Sequence, residues 1–253
     1  MTMNVTVRDL DGEPAGDLRT EVFDGTVRPD LVRKAVLAAQ ANRKQDYGAD
    51  PRAGFRTTAE SFGSGRGMAH VPRTNAGGGS AARRVPQAVK GRKAHPPKAE
   101  TDRTRGINDK ERKKAIRSAV VATADGDRVA ERGHAFSAEV PVVLSDEFEE
   151  LKKTKAAVDA LESLGLYRDV ERAEEGRTVR SGRGKTRGRK YRTPASVLVV
   201  TSSDAGPSRA ARNLCGATVT TAREVDAEDL APGGQPGRLA LYTESAVAEV
   251  SER

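Results

Sequence analysis

The chain has 253 residues, with 44 Lys+Arg against 36 Asp+Glu, 25 Gly, 12 Pro, one Cys and no Trp. Lone Cys215 excludes an internal disulfide, and Cys215 with His70, His95 and His134 is too scattered for a Cys/His zinc site, so no metal is expected. Met1 to Leu10 lacks a charged-then-apolar leader and the longest apolar run, Ala195 to Val200, is far short of a membrane span, which predicts a soluble, intracellular protein with no membrane partner.

In chain order, Val5-Thr6-Val7-Arg8 alternates and runs into Asp9-Leu10-Asp11-Gly12, which predicts a half-exposed strand closed by an Asp-Gly turn into a hairpin. Asp30 to Gln40 places Leu31, Ala35, Ala38 and Ala39 near one face behind an N-capping Asp30, a helix. Residues 42–98 then change character. They hold 12 Lys+Arg and 3 Asp+Glu, and of 57 residues only Tyr47, Phe55, Phe62, Met68, Val71, Val85 and Val89 are large and apolar. So little apolar surface cannot offset roughly 1 to 2 kcal/mol of backbone entropy per ordered residue. The segment is predicted to be a functional arm running out from the body and back.

Asn108 to Ala124 opens like a capping box and sets Ile116, Ala119, Val120 and Thr123 on one side, with Arg112, Lys113 and Arg117 also on the helix that receives the arm back. Val140 to Leu144 reads as a strand, and Asp146 to Leu164 as one amphipathic helix stopped by Gly165. Residues 177–192 carry 8 Lys+Arg and no acid, interleaved with glycine and ending at Tyr191. Ser196 to Thr201 is a buried strand, Pro207 to Leu214 a helix, Ala217 to Thr221 and Leu239 to Thr243 strands, and Glu244 to Arg253 a last helix. The alternation predicts an α/β domain, a parallel sheet with helices on both faces, carrying a long irregular basic arm. The body is residues 1–41 and 107–253, and the arm is 42–106 with its tip near 60–80.

Enzyme chemistry finds little footing. Gly184-Lys185-Thr186 could end a phosphate-binding loop, but its first glycine would fall on Val179. Gly63-Ser64-Gly65-Arg66-Gly67 lacks the dinucleotide spacing. Asp9-Leu10-Asp11-Gly12 resembles the nucleophile motif of haloacid dehalogenase-like phosphohydrolases, yet Glu13 replaces a small hydroxyl residue and the acidic Gly126-Asp127 segment precedes the second motif. His70 and His95 read as ordinary polar or stacking positions, His134 as a loop residue and Cys215 as a small hydrophobe. No cofactor is expected.

The charge supports a binding function instead. Removing residues 42–98 and 177–192 leaves 24 basic and 33 acidic residues, so an acidic body carries two strongly basic excursions. With a Debye length of about 8 Å, a polyanion meets each excursion, not the average charge. Glycines let backbone amides approach phosphates, arginine grips them bidentately, and an irregular arm suits folded RNA better than regular duplex DNA.

The runs Arg33-Lys34-Ala35, Ala41-Asn42-Arg43-Lys44-Gln45, Glu60-Ser61-Phe62-Gly63-Ser64-Gly65-Arg66-Gly67, Arg83-Arg84-Val85-Pro86-Gln87-Ala88-Val89-Lys90-Gly91-Arg92 and Ala94-His95-Pro96-Pro97 closely resemble the archaeal and eukaryotic form of large-subunit ribosomal protein four. Asn108-Asp109-Lys110-Glu111-Arg112, Arg187-Gly188-Arg189-Lys190-Tyr191-Arg192 and Leu230-Ala231-Pro232-Gly233-Gly234 continue the likeness over nearly the whole chain, and it is nearest to versions from halophilic archaea. Two features depart from that pattern: the net charge is positive, and Thr74 to Ser80 adds a Gly-rich stretch. The resemblance implies a non-enzymatic constituent of the cytoplasmic large ribosomal subunit, with large ribosomal RNA and neighbouring ribosomal proteins as partners and no homo-oligomer. It implies RNA contacts along the arm at Arg43, Lys44, Arg56, Arg83, Arg84, Lys90, Arg92, Lys93, Lys98, Arg103 and Arg105. From the body it implies contacts at Arg183, Lys185, Arg187, Arg189, Lys190 and Arg192. It would place Gly63, Ser64, Gly65, Arg66, Gly67, Met68 and His70 beside the nascent-peptide tunnel. The alternative is a free regulatory or RNA-modifying protein.

Overall fold

A computed structural model describes residues 2–74, 80–202 and 207–253. The chain divides into two units, Met1–Gln40 with Arg105–Arg253, and Ala41–Thr104.

The first unit is built on a six-stranded sheet. Its strands are β1 (Met3–Arg8), β2 (Pro14–Thr20), β3 (Val142–Leu144), β6 (Leu198–Thr201), β7 (Thr218–Thr221) and β8 (Ala240–Thr243), in the order β2-β1-β3-β8-β6-β7. Every neighbouring pair is parallel except the β1–β2 hairpin. That hairpin closes at Asp9, whose carboxylate accepts from the backbone N–H of Asp11 (3.0 Å) and Glu13 (2.9 Å). The two-residue period of a strand sends alternate side chains to opposite faces. Leu198, Val200, Ala240 and Tyr242 therefore join one core with Val32, Val36, Ile116, Val120 and Val247. Val197, Val199, Leu239 and Leu241 join the other with Phe148, Leu161, Leu166 and Val170. Helices α1 (Pro29–Asn42), α2 (Asp109–Thr123) and α8 (Glu244–Ser251) supply the first core, and α4 (Thr154–Ser163) and α5 (Tyr167–Glu175) the second. This is the predicted α/β sheet with helices on both faces.

Several elements depart from expectation. Asp146 to Leu164 is not one helix: a 3₁₀ turn over Asp146–Glu150 is separated from α4 by extended Leu151. Tertiary bonds break it, because the Glu149 carboxylate accepts from Ser202 N–H, Ser202 Oγ and Thr243 Oγ1, each at 2.7 Å. The helix predicted over 207–214 is the single turn α6 (Pro207–Ala210). Unpredicted are α3 (Gly126–Glu131), α5, α7 (Ala227–Leu230) and a second sheet of β4 (Thr178–Val179) with β5 (Tyr191–Arg192). His134 lies in a loop but is buried on Asp169 (3.0 Å), which also takes Arg172 (2.8 Å) and the Ala135 N–H (2.9 Å). Burial pushes the Asp169 carboxyl up, but the bonds from His134 and Arg172 outweigh it and hold the group below its usual range.

Among the described residues no helix is long and apolar enough to cross a membrane, and no group of three or more His, Cys, Asp or Glu could hold a metal.

Candidate nucleic-acid interface

The second unit, Ala41–Thr104, is held by contacts between an outgoing and a returning limb. Near the base, Ala49 N–H donates to Pro97 C=O (2.8 Å) and Gly48 lies against Ala99. Further on, Gly54, at φ +81°, faces the backbone of Gly91 and Arg92 so closely that a Cβ there would sit 2.4 Å from Arg92 N. Beyond it Arg84 Nη2 donates to Thr57 C=O (2.7 Å). At the neck, Arg73 pairs backbone to backbone with Glu60 and with Ala82. The limbs approach in steadily narrowing sequence separation, as an out-and-back excursion requires. Between residues 43 and 104 no α-helix or longer strand forms among the described residues, which the scarcity of core-formers explains.

The neck closes a loop of exposed residues. Gly63, Gly65 and Gly67 have φ of +75°, +83° and +61°, values that L side chains disfavour, and a Cβ at each would meet open space. Ser64, Met68 and His70 are exposed, and the Arg66 guanidinium lies 5.4 Å from the Phe62 ring centroid. The glycines are thus required by backbone conformation and not by crowding. The Gly-rich stretch singled out at Thr74 to Ser80 falls largely on residues 75–79, outside the described residues.

The cations expected along the arm divide into two groups. Lys44, Lys90, Lys93 and Lys98 are exposed, as are Arg43 and Arg105 at its two ends; Arg92 is half-buried, and Arg56 is exposed but pairs with Asp50 (2.8 Å). Arg83, Arg84 and Arg103 instead turn onto the chain's own carbonyls. Arg103 is the most committed. Its Nη2 donates to Tyr47 C=O (2.7 Å) and Lys98 C=O (3.2 Å), its Nη1 to Thr101 C=O (3.0 Å) and Asp46 (3.3 Å), and it stacks 4.1 Å over Tyr47. These arginines shape the arm. Arg84 and Lys90 are also held at φ of +64° and +60°, costing roughly 1 to 2 kcal/mol each. Arg73, which composition alone did not single out, matters as the residue bridging both limbs.

The basic run 177–192 is an ordered hairpin. Thr178 pairs with Arg192 and Val179 with Tyr191, and Arg180 N–H donates to Lys190 C=O (2.8 Å). The connection is a 3₁₀ turn over Arg183–Thr186, flanked by Gly182 and Gly188, both at φ +77°. Tyr191 anchors it: Arg177 lies 4.2 Å and Lys190 5.3 Å from its ring centroid. Arg183, Lys185, Arg187, Arg189, Lys190 and Arg192 are all exposed, and none pairs with a carboxylate among the described residues. Eight cations without an acid form a surface matched to an anion larger than a single ion.

The sequence profile of the ribosomal protein L4/L1 family matches residues 17–253. The chain is 64% identical over 254 residues to the large ribosomal subunit protein uL4 of Halorubrum lacusprofundi, covering 99% of this chain and 100% of that protein. It is 65% identical to the uL4 of Natronomonas pharaonis with the same coverage, and 52% identical over 243 residues to that of Methanococcoides burtonii, covering 96% and 95%. The chain belongs to the ribosomal protein L4/L1 family.

Proposed function

We propose that this protein is a structural, non-enzymatic constituent of the cytoplasmic large ribosomal subunit that binds the large ribosomal RNA through two basic surfaces, the arm and the 177–192 hairpin. The observation that carries this reading is the hairpin: a paired ribbon with Arg177 and Lys190 on the Tyr191 ring, whose cations have no acid partner among the described residues. The buried Nε donors of Arg73 and Arg84 have no partner among the described residues, which supports an arm completed by a bound molecule. In this reading Arg43, Lys44, Lys90, Arg92, Lys93, Lys98 and Arg105 meet phosphates, while Arg83, Arg84 and Arg103 hold the limbs together. The glycine loop around Arg66 lines the nascent-peptide tunnel, and neighbouring ribosomal proteins complete the surroundings of the body.

Deletion of residues 50–98 tests it. The body's two cores lie outside the deleted segment, so the truncated chain keeps its circular dichroism but fails to enter large subunits. Normal incorporation of the truncated chain would contradict the assigned role of the arm.

A further inference from the structure

Helix α2 carries a line of cations that neither the arm nor the hairpin accounts for. Lys110, Lys113, Lys114 and Arg117 stand at i, i+3, i+4 and i+7, and so share one face, which is exposed. The opposite face, with Ala115, Ile116, Ala119 and Val120, is buried in the core. Within the stripe the cations are i,i+3 and i,i+4 neighbours of one another, an arrangement that disfavours a helix. The acids in the first turn are spent elsewhere: Glu111 pairs with Lys34 (2.6 Å), and Asp109 faces Arg112 (3.8 Å). The helix is anchored by its apolar face, and the cation stripe is left facing outward.

Beside this ridge lies a groove of about 810 Å³, floored by Val22, Ile116, Val120 and Val250 and reached by Lys113, Arg117 and Arg253. Glu21, Asp24 and Glu252 also line it. Carboxylates there repel phosphates as they repel an acidic peptide, which leaves the phosphates to the cations of the ridge, while the carboxylates can accept hydrogen bonds from base amino groups and ribose hydroxyls. Apolar side chains suit the face of an unstacked base. Seven residues of helix rise about 10.5 Å, so the four cations form a continuous track along which the backbone of one strand can run.

We propose that this ridge and groove form a third RNA-docking surface, on the body, taking a single-stranded segment of ribosomal RNA with its phosphates along Lys110, Lys113, Lys114 and Arg117 and one base over the groove floor. The inference rests on the RNA-binding reading above and adds a site to it.

The test uses the full chain and deproteinised large-subunit ribosomal RNA, with affinity measured between 50 and 200 mM salt. Each single-strand phosphate contact contributes about 0.7 to the slope of log affinity against log salt. The variant Lys110→Gln/Lys113→Gln/Lys114→Gln/Arg117→Gln therefore loses about 3 from that slope, and its affinity loss across this range shrinks about 50-fold relative to the parent. Ultraviolet crosslinking of the parent to the RNA leaves nucleotide adducts on the peptide spanning α2. A comparator, Arg183→Gln/Lys185→Gln/Arg187→Gln/Arg189→Gln, separates the two claims. A lowered slope for the comparator with an unchanged slope for the α2 variant overturns this inference and leaves the RNA reading standing. No salt-dependent binding by the parent sinks both. An unchanged slope together with loss of a neighbouring protein on reconstitution assigns the groove to a protein partner and also overturns the inference.

Discussion

Replacing Arg103 with glutamine separates an arginine that shapes the arm from one that grips phosphate. The side chain is only 14% exposed, and its bond to Asp46, a carboxylate 72% exposed, contributes at most about 1 kcal/mol. More of the stabilisation comes from the bonds to Tyr47 C=O (2.7 Å) and Thr101 C=O (3.0 Å) and from the stack on Tyr47. Charged hydrogen bonds contribute about 1.5 to 3 kcal/mol each, and an exposed cation–π contact about 0.5 to 1. Glutamine can remake one of the bonds, so the net loss is about 2 to 4 kcal/mol of order at the arm's base. If RNA binding requires that order, affinity falls roughly 30- to 900-fold at 1.36 kcal/mol per decade. The salt slope stays near the parent's value, because no phosphate partner has been removed. Filter binding to large-subunit ribosomal RNA at several salt concentrations reads both quantities. A slope lowered by about 0.7 to 0.9 with only a small loss of affinity would identify Arg103 as a phosphate ligand and refute the clasp.

Other predictions follow from the body and the limbs. Arg238 is 3% exposed and donates to Ser196 C=O (2.9 Å), Asp229 C=O (2.8 Å) and Thr218 Oγ1 (2.8 Å), and burial lowers its guanidinium to about 10, still charged at neutral pH. Arg238→Met strands these acceptors and costs about 3 to 5 kcal/mol, read as a fall of about 1 to 2 M in urea midpoint; a fall under about 0.5 M would show that the acceptors find other donors. Asp169, held low by His134 and Arg172, contributes stability that is complete above the unfolded carboxylate value near 4 and is lost as pH falls through its depressed folded value. Asp229, raised by burial, works in the opposite direction. Asp169→Asn is therefore less stable than the parent at neutral pH and flatter below pH about 4; parallel urea midpoint curves for the two proteins across that range would contradict the assignment. Gly54→Ala drives a Cβ into the Gly91–Arg92 backbone and separates the limbs, whereas Gly65→Ala meets open space and bears only the strain of its φ of +83°. Limited proteolysis should open the arm in the first variant and not the second, and equal cleavage would count against the packed limbs.

Much of the architecture was legible in the sequence because its signals are local. Leu198–Thr201 and Ala240–Thr243 are wholly buried strands, and their apolar runs announce them. The segregation of charge similarly marks both basic excursions. What escaped notice depends on distant partners. The charged stretch Tyr167–Glu175 looks like surface, yet Val170 and Ala173 pack inward and buried Asp169 takes partners from His134 and Ala135, 35 and 34 residues away. The helical pattern through Asp146–Leu164 is broken by bonds to Ser202 and Thr243, which no window of local sequence contains. In the interface, residue type identified the cations but not their division of labour. Lys93 and Arg103 are equivalent in a charge count, and only tertiary placement shows one exposed and the other turned onto Tyr47 and Lys98. The short β4–β5 pairing was hidden because its strands are two residues each and exposed.

The most direct test of the central claim is where the protein sediments. Native lysate is fractionated on a sucrose gradient before and after a high-salt wash and after ribonuclease, with the protein followed by quantitative mass spectrometry. Attraction through 6 to 10 phosphates alone would weaken about 10³- to 10⁵-fold between 50 and 200 mM salt, so a merely adsorbed protein is washed away. An arm locked into folded RNA predicts near-stoichiometric, salt-resistant sedimentation with the large subunit that ribonuclease abolishes. A slow-sedimenting pool, or release by the high-salt wash, would contradict it.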